Sequence, residues 1–582
     1  MVNWTSRLLT VVVALGPVLA SGTGIAPSQP APAMGVVGDG TPASCTEANF
    51  SLAFASGSPV TFNCGGPKTI PLVAEFLFND SRIIDGGHVI TLEASGSGPM
   101  FAPGTAADLT LSNLTLAGAP AVAADGGIIV NHGRLTIADS TLQNAGVTSA
   151  HSGGAIFSTG RLTVTHSIFK GNSAGNGGAI FLNSNQAQAF IRDSTFSQNH
   201  AVNLALGYGG AIWVGPQARL TLIGGALFGN TAKFGGGVYV SPLALATLGS
   251  DATVVQLTSN LASTGGGGLY NDEGTLDISW ALISSNRTLT TTSSYGGAIA
   301  TTGALTLTGS YLAENLSRSG GGVFAGGQPN PFSVVIDHTQ LVANTADNGG
   351  GLFTNATSVL MTVTDSNFYA NLAHGLGGGL LRANAHLEIT RSSFWLNRAD
   401  QGGGLYLTAL PLTNTGVAGY VNLRDSTIAT NTAQTGVGGG LYNNDRLALF
   451  NVTVKDNTTG LYNDTGGDTR LRGTVLQNPG GNCAGVVIPS DQSFNFATDT
   501  TCNFSFSQQG NALNPLLGLL TPDPNGVTWY YVPLVGSPLI DHGPSDCSTL
   551  DQRRAQRLGA CDIGAVEFGG LLPVLWLPLV TR

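Results

Sequence analysis

"SGGAIFSTGRLTVTHSIFKGNSAGNGGAIF" (residues 152–181) says one thing twice: Gly-Gly-Ala-Ile-Phe opens the stretch and closes it. Aligned on Asn172 within it, the chain offers further copies at Asn144, Asn199, Asn230, Asn260, Asn286, Asn315, Asn344, Asn371, Asn397, Asn431 and Asn457. The copies lie 26 to 34 residues apart, about 28 on average. A period of that size marks a repeat array. Each copy holds three apolar stretches, here "RLTV", "SIF" and "GGAIF". They are too short for helices and rich in β-branched residues, so they read as strands.

The columns of this alignment say which residues face inward. Three residues before the asparagine stand Phe169, Phe196, Leu227, Leu257, Ile283, Leu312, Leu341, Phe368, Phe394, Ile428 and Val454. Five before stand small residues, mostly serine, as at Ser167, Ser194, Ser366 and Ser392. After the glycines runs an aliphatic column that includes Ile156, Ile180, Ile212, Leu352 and Leu441. A coil with three strands per turn satisfies all of these. Each strand pairs in parallel with its equivalents about 4.8 Å above and below. Like residues then stack on like, and one core runs along the axis. The expected fold is an all-β parallel β-helix of about twelve or more rungs with capped ends, which the family resemblance drawn below implies is single-stranded and right-handed. Asparagines Asn172, Asn199, Asn230, Asn260, Asn286, Asn315, Asn344, Asn371, Asn397 and Asn431 would be its structural ladder. Each side-chain amide would meet the next rung's, since a buried amide without a partner is costly.

Composition narrows the function classes. Charged residues are only 10% of the 582, and the net charge is −10 without a basic block. That argues against nucleic acid as a partner. The start reads as an export signal, with Arg7 ahead of the apolar "LLTVVVALGPVLA" (8–20) and small residues for cleavage. The expected layout is a signal peptide at 1–20 (cleavage as late as 26), a linker at 21–44, an N-terminal cap with first rungs at 45–107, and repeats at 108–478. Final irregular rungs and a stapled cap follow at 479–568, then an apolar tail at 569–582. No membrane span is expected once the signal is removed. The six cysteines fall into close pairs, Cys45/Cys64, Cys483/Cys502 and Cys547/Cys561. In an exported protein these read as three local disulfides.

The pairing of "GGAI" with "FKGN" (169–172), "FSQN" (196–199), "FYAN" (368–371) and "FWLN" (394–397) resembles the GGA[ILV]/FxxN repeats of polymorphic outer membrane proteins. The resemblance covers about 108–478 and implies a pectin-lyase-like β-helix on a bacterial surface, adhesin-like in role. Many copies here read GGG instead of GGA, and no C-terminal barrel follows. The segment "SPLIDHGPSDCSTLDQRRAQRLGACDIGAVEF" (537–568) resembles the close of secreted β-helix proteins called choice-of-anchor Q. That group implies an envelope or extracellular place, and no activity.

Two outer columns are candidates for function. Six residues before the asparagine stand His338, Asp365, Arg391 and Asp425 on successive rungs, with His166 and Asp193 earlier. A catalytic stripe would need converging carboxylates, or an acidic cation site with a base. The plainer reading is an exposed bend whose charges offset one another. Directly after the aliphatic column stand Phe157, Phe181, Trp213, Tyr239, Tyr270, Phe324, Phe353, Tyr406, Tyr442 and Tyr462. Strand alternation sends these outward, either to stack under loops or to form a platform for sugar rings or a partner. The function expected is a secreted or cell-surface protein, non-catalytic, that adheres or binds a glycan or cell-surface protein. The alternative is a polysaccharide lyase or glycoside hydrolase of the same fold. No cofactor and no metal are expected.

Overall fold

The chain is a single-stranded right-handed parallel β-helix. The computed structural model describes residues 35–572, apart from 120, 204–205, 251–252, 290–292, 328–330, 357–358, 410–418, 488, 506, 511–512 and 525. The signal peptide expected at 1–20, most of the linker, and the tail from 573 lie outside the described residues.

Three main ladders of short strands run along the axis, and a shorter, interrupted one follows the asparagines. The glycine-side ladder holds sixteen strands, from Phe76–Phe78 to Cys483–Gly485. In the repeat of Asn172, Arg161–Thr165 belongs to the central ladder and Ile168–Lys170 to the asparagine-side ladder. These two ladders form one sheet, because Ser81–Ala94 and Asp108–Ala117 pass through both in the first turns. Register puts like on like: Phe169 lies against Phe196, Ile156 against Ile180, and Phe368 against Phe394. The column from Phe169 to Val454 is wholly buried. Alternation explains the choice: Leu162 and Val164 point in, so Arg161, Thr163 and Thr165 point out.

The asparagines occupy the turn after the asparagine-side ladder. From Asn172 to Asn457 each Nδ2 donates to the next rung's Oδ1, as Asn315 does to Asn344 at 2.9 Å. The second Nδ2 hydrogen goes to a carbonyl of the preceding rung, Ile283 for Asn315. Each Oδ1 also accepts the preceding asparagine's backbone N–H. The chain of amides continues through Asn478 and ends at Asn482, whose Nδ2 donates to Thr498. One assignment is corrected. Leu142 pairs with Phe169, so Ala145, not Asn144, stands level with Asn172. Asn144 has φ 54° and fills the left-handed position that Gly171 fills one rung on.

Both ends are closed. Helix Glu47–Ser56, capped by Thr46, lays Phe50 and Phe54 over Phe76 and Phe101 of the first turns. The Cys45–Cys64 disulfide ties it down. At the other end Cys483–Cys502 closes the last rungs. Beyond them the chain turns back along the flank of the helix. Leu539 and Ile563 pack there on Val475 and Phe496, and Cys547–Cys561 staples the returning segment. Residues 479–568 thus both close the end and clothe a side.

Candidate functional site

The charged column stands at the bend between the central and asparagine-side ladders. The bend needs a left-handed residue on every rung: φ is 47° at His338, 48° at Asp365, 47° at Arg391 and 45° at Asp425. Asp and His tolerate that conformation better than most residues, so polar side chains collect here. Their partners come mainly from the returning C-terminal segment. Asp365 accepts two bonds at 2.9 Å from Arg391 and two, at 3.2 and 2.9 Å, from Arg554. Asp425 meets Arg557 at 2.9 Å and also Ser548. Arg557 reaches Glu567 at 3.2 Å as well. His338 lies between Asp337, 2.8 Å from its Nδ1, and Arg554 at its Nε2.

The electrostatics follow from these contacts. Burial raises the Asp365 carboxyl, but Arg391 and Arg554 outweigh it and hold it below its ordinary value. At Asp425 burial wins over Arg557 and pushes the carboxyl up. Candidate ligand atoms of Asp337, His338 and Asp365 lie within 4.8 Å of one another. Both oxygens of Asp365 are already taken by guanidinium groups, which makes this set an ion-pair cluster. The column is therefore a docking strip for the chain's own C-terminal segment. Earlier on the same bend, His166 stays exposed between Asp139 and Asp193, at 3.9 and 3.8 Å.

Sequence reasoning missed Arg554, Arg557 and Ser548, which lie 123 to 216 residues from the groups they meet. The available signal was the arginine cluster "DQRRAQR" (551–557) in a chain poor in charge. Gln552 and Trp529 belong to the same contact: Gln552 accepts from Thr427 at 2.6 Å, and Trp529 lies 4.4 Å from Trp395.

The aromatic column is external to the core, and its rings stack on one another. Phe181 and Trp213 are 3.9 Å apart and nearly parallel, and Phe157 follows at 5.4 Å. Tyr239 and Tyr270 stack at 5.5 Å, while Tyr406, Tyr442 and Tyr462 continue at 4.3 and 5.1 Å. Phe324 and Phe353 meet edge to face. Ring faces are thus mostly turned toward neighbouring rungs. Tyr208 and Tyr295, with Phe234 at the end of strand Thr231–Phe234, pack over the middle of the column. Tyr239 and Tyr270 are only 5% and 8% exposed. The Tyr239 hydroxyl donates to Asp272 at 2.6 Å, as Tyr442 does to Asp464 at 2.5 Å. Burial, then these carboxylates, hold both phenols above their ordinary value.

Comparison with known proteins gives short and distant likenesses. The family described as Chlamydia polymorphic membrane protein (Chlamydia_PMP) repeat matches residues 166–183. No curated protein matches the chain. Among solved structures, the Azotobacter vinelandii Mannuronan C-5 epimerase AlgE6 A-module is 11% identical over 80% of this chain and 97% of its own, with a TM-score of 0.21. A likeness at that score carries no argument. The repeat match, the β-solenoid and the three disulfides fit an extracellular or surface protein.

Proposed function

We propose that this chain is an exported, non-catalytic surface β-helix that binds a glycan or a cell-surface partner through its outer faces. One observation carries the reading. On the four successive rungs of the charged column, Asp365 and Asp425 are each held by arginine from the chain's own C-terminal segment. A lyase or hydrolase would need such groups free to converge on one bond. A fold made of stacked rungs supports display instead, since it sets out long flat faces with side chains at a fixed spacing.

The test has two arms. Antibody labelling of intact cells, with permeabilised cells as control, reads location; labelling only after permeabilisation would refute a surface role. A glycan array run with the purified chain reads binding. The absorbance of unsaturated products and reducing-end release, measured on the same glycans, read turnover. Binding without turnover is expected, and turnover would establish the enzymatic alternative.

A further inference from the structure

The outer face of the central ladder carries a basic patch that no local stretch of sequence reveals. Strands Arg134–Ala138, Arg161–Thr165, Gln188–Arg192 and Arg219–Ile223 pair in register on four successive rungs. Arg134, Arg161, Gln188 and Arg219 form one exposed column, each about 4.8 Å from the next along the axis. Among the described residues, the side chains of Arg134, Arg161 and Arg219 make no hydrogen bond or ion pair. Stacked like charges without counter-ions are unfavourable. They stand here on a protein of net charge −10.

The neighbouring column adds an apolar element. Phe190 lies in register between Thr163 and Thr221 and is 37% exposed. Arg192 sits over its ring at 5.7 Å. Thus Arg192 brings a further cation to the same face. Beside the arginine column a hollow of about 330 Å³ is lined by Thr105, His132, Arg134, Arg161, Asn185 and Gln188. The acidic groups nearby are Asp108, level with Arg134 but not paired to it, and Asp139 and Asp193, which face His166.

We propose that this face binds a linear acidic polysaccharide with one carboxylate per sugar, its chain laid along the helix axis. The proposal rests on the surface-binding reading and names its ligand. Sugar units in an extended chain repeat at a length close to the rung spacing, so carboxylates of one chain can reach Arg134, Arg161 and, one rung past the amide of Gln188, Arg219. Planar guanidinium groups match carboxylates two bonds at a time. Phe190 offers an aromatic surface to one sugar ring. Thr136, Thr163, Thr221 and Gln188 supply hydroxyl and amide partners for sugar hydroxyls.

The test is retention of the full chain on immobilised polygalacturonate, with dextran sulfate, neutral dextran and single-stranded DNA in parallel. Polygalacturonate should be bound, less so as salt rises, and neutral dextran should not. The variant R134Q/R161Q/R219Q should bind at least tenfold more weakly, with a flatter salt dependence. Phe190→Ser should weaken binding severalfold and keep the salt dependence. Arg446→Gln, exposed far along the same ladder, should bind as wild type. Each variant must melt as wild type does; if the triple variant does not, Arg161→Glu reads the same contrast. Failure of the wild type to bind polygalacturonate, or equal binding by the arginine variants, would overturn the site. So would equal or tighter binding of dextran sulfate or DNA, which marks a generic polyanion surface. If neutral glycans bind on the array while polygalacturonate does not, this site fails and the wider proposal stands. If nothing binds in either assay, both fail.

Discussion

A single asparagine amide makes its full set of four hydrogen bonds inside this protein. Asn315 donates to Ile283 and Asn344 and accepts twice from Asn286. Replacing it by alanine leaves donors of Asn286 and acceptors of its other neighbours without partners in a dry interior. Asn315→Ala is expected to cost about 1–3 kcal/mol, read from the shift in denaturant midpoint; Asn344→Ala should behave alike. A shift near zero would mean that water or backbone movement replaces the amide. The serine column makes a second polar spine by the same logic. Ser366 and Ser392 offer their backbone N–H groups to the next hydroxyl at 3.2 and 3.0 Å. Each hydroxyl in turn donates to a carbonyl two residues back. Because φ is positive just beside both spines, small or amide side chains at the turns are fixed by geometry as much as by bonding.

Elements here are rungs and the segment that wraps them, and each makes a different demand on its side chains. The aromatic column joins rungs on the outside. Removing Tyr239 and Tyr270, both buried beneath Tyr208, Phe234 and Tyr295, should destabilise the central rungs by on the order of 3 kcal/mol per ring. Unchanged thermal melting of Tyr239→Ser/Tyr270→Ser would show that the rings are ornamental to stability. The wrapping segment depends instead on charge. Asp365 is held below its ordinary value of 3.8, so its contribution is full above that pH and fades as the pH falls below it. Asp425, pushed up by burial, pulls the other way. Because Trp529 lies against Trp395, tryptophan fluorescence should report the segment's release below the Asp365 window. Asp365→Asn should produce the same spectral change at pH 7. If the acid transition survives in that variant, another group governs it. The Cys483–Cys502 bridge spans a separation of 19 residues. Its loss to paired serines should cost up to about 3 kcal/mol by the loop-closure account, confined to the last rungs.

Stability of the whole molecule is a sum of rung-to-rung contacts, since each turn meets only its neighbours and whatever wraps them. The core is one continuous cluster from the N-terminal helix to Phe504, yet the flanking segment touches only the later rungs. Deleting residues 513–582 should therefore uncover Val475, Phe496 and Trp395. Arg554 reaches back to His338 and Asp365, so hydrogen exchange should then rise from about His338 onward, while rungs from Asn172 to Asn315 keep their protection. Dye binding by the exposed apolar face should increase as well. Uniform loss of protection along the axis would show that the molecule unfolds as a single unit.

The sequence by itself determined the coil, because a rung must match its neighbours and the match is written as columns. The aliphatic, aromatic, serine and asparagine columns were all legible, since stacking places residues one period apart at 4.8 Å. The need for a cap before the first rungs was readable for a related reason: an open end exposes apolar surface that must be covered. The exception within the repeat, Ala145 in place of Asn144, slipped through because Asn144 stands one residue before the ladder position, at a left-handed turn that an asparagine also suits. Only the tertiary structure decided what the outer columns do. Where each ring faces depends on χ angles and on loops of irregular length, so the self-stacking of Phe157, Phe181 and Trp213 has no signature in the period. The pairing of Asp365 and Asp425 with Arg554 and Arg557 joins a repeating column to a segment outside the repeat. No periodicity links the two, and only the return of the chain along the flank brings those charges together.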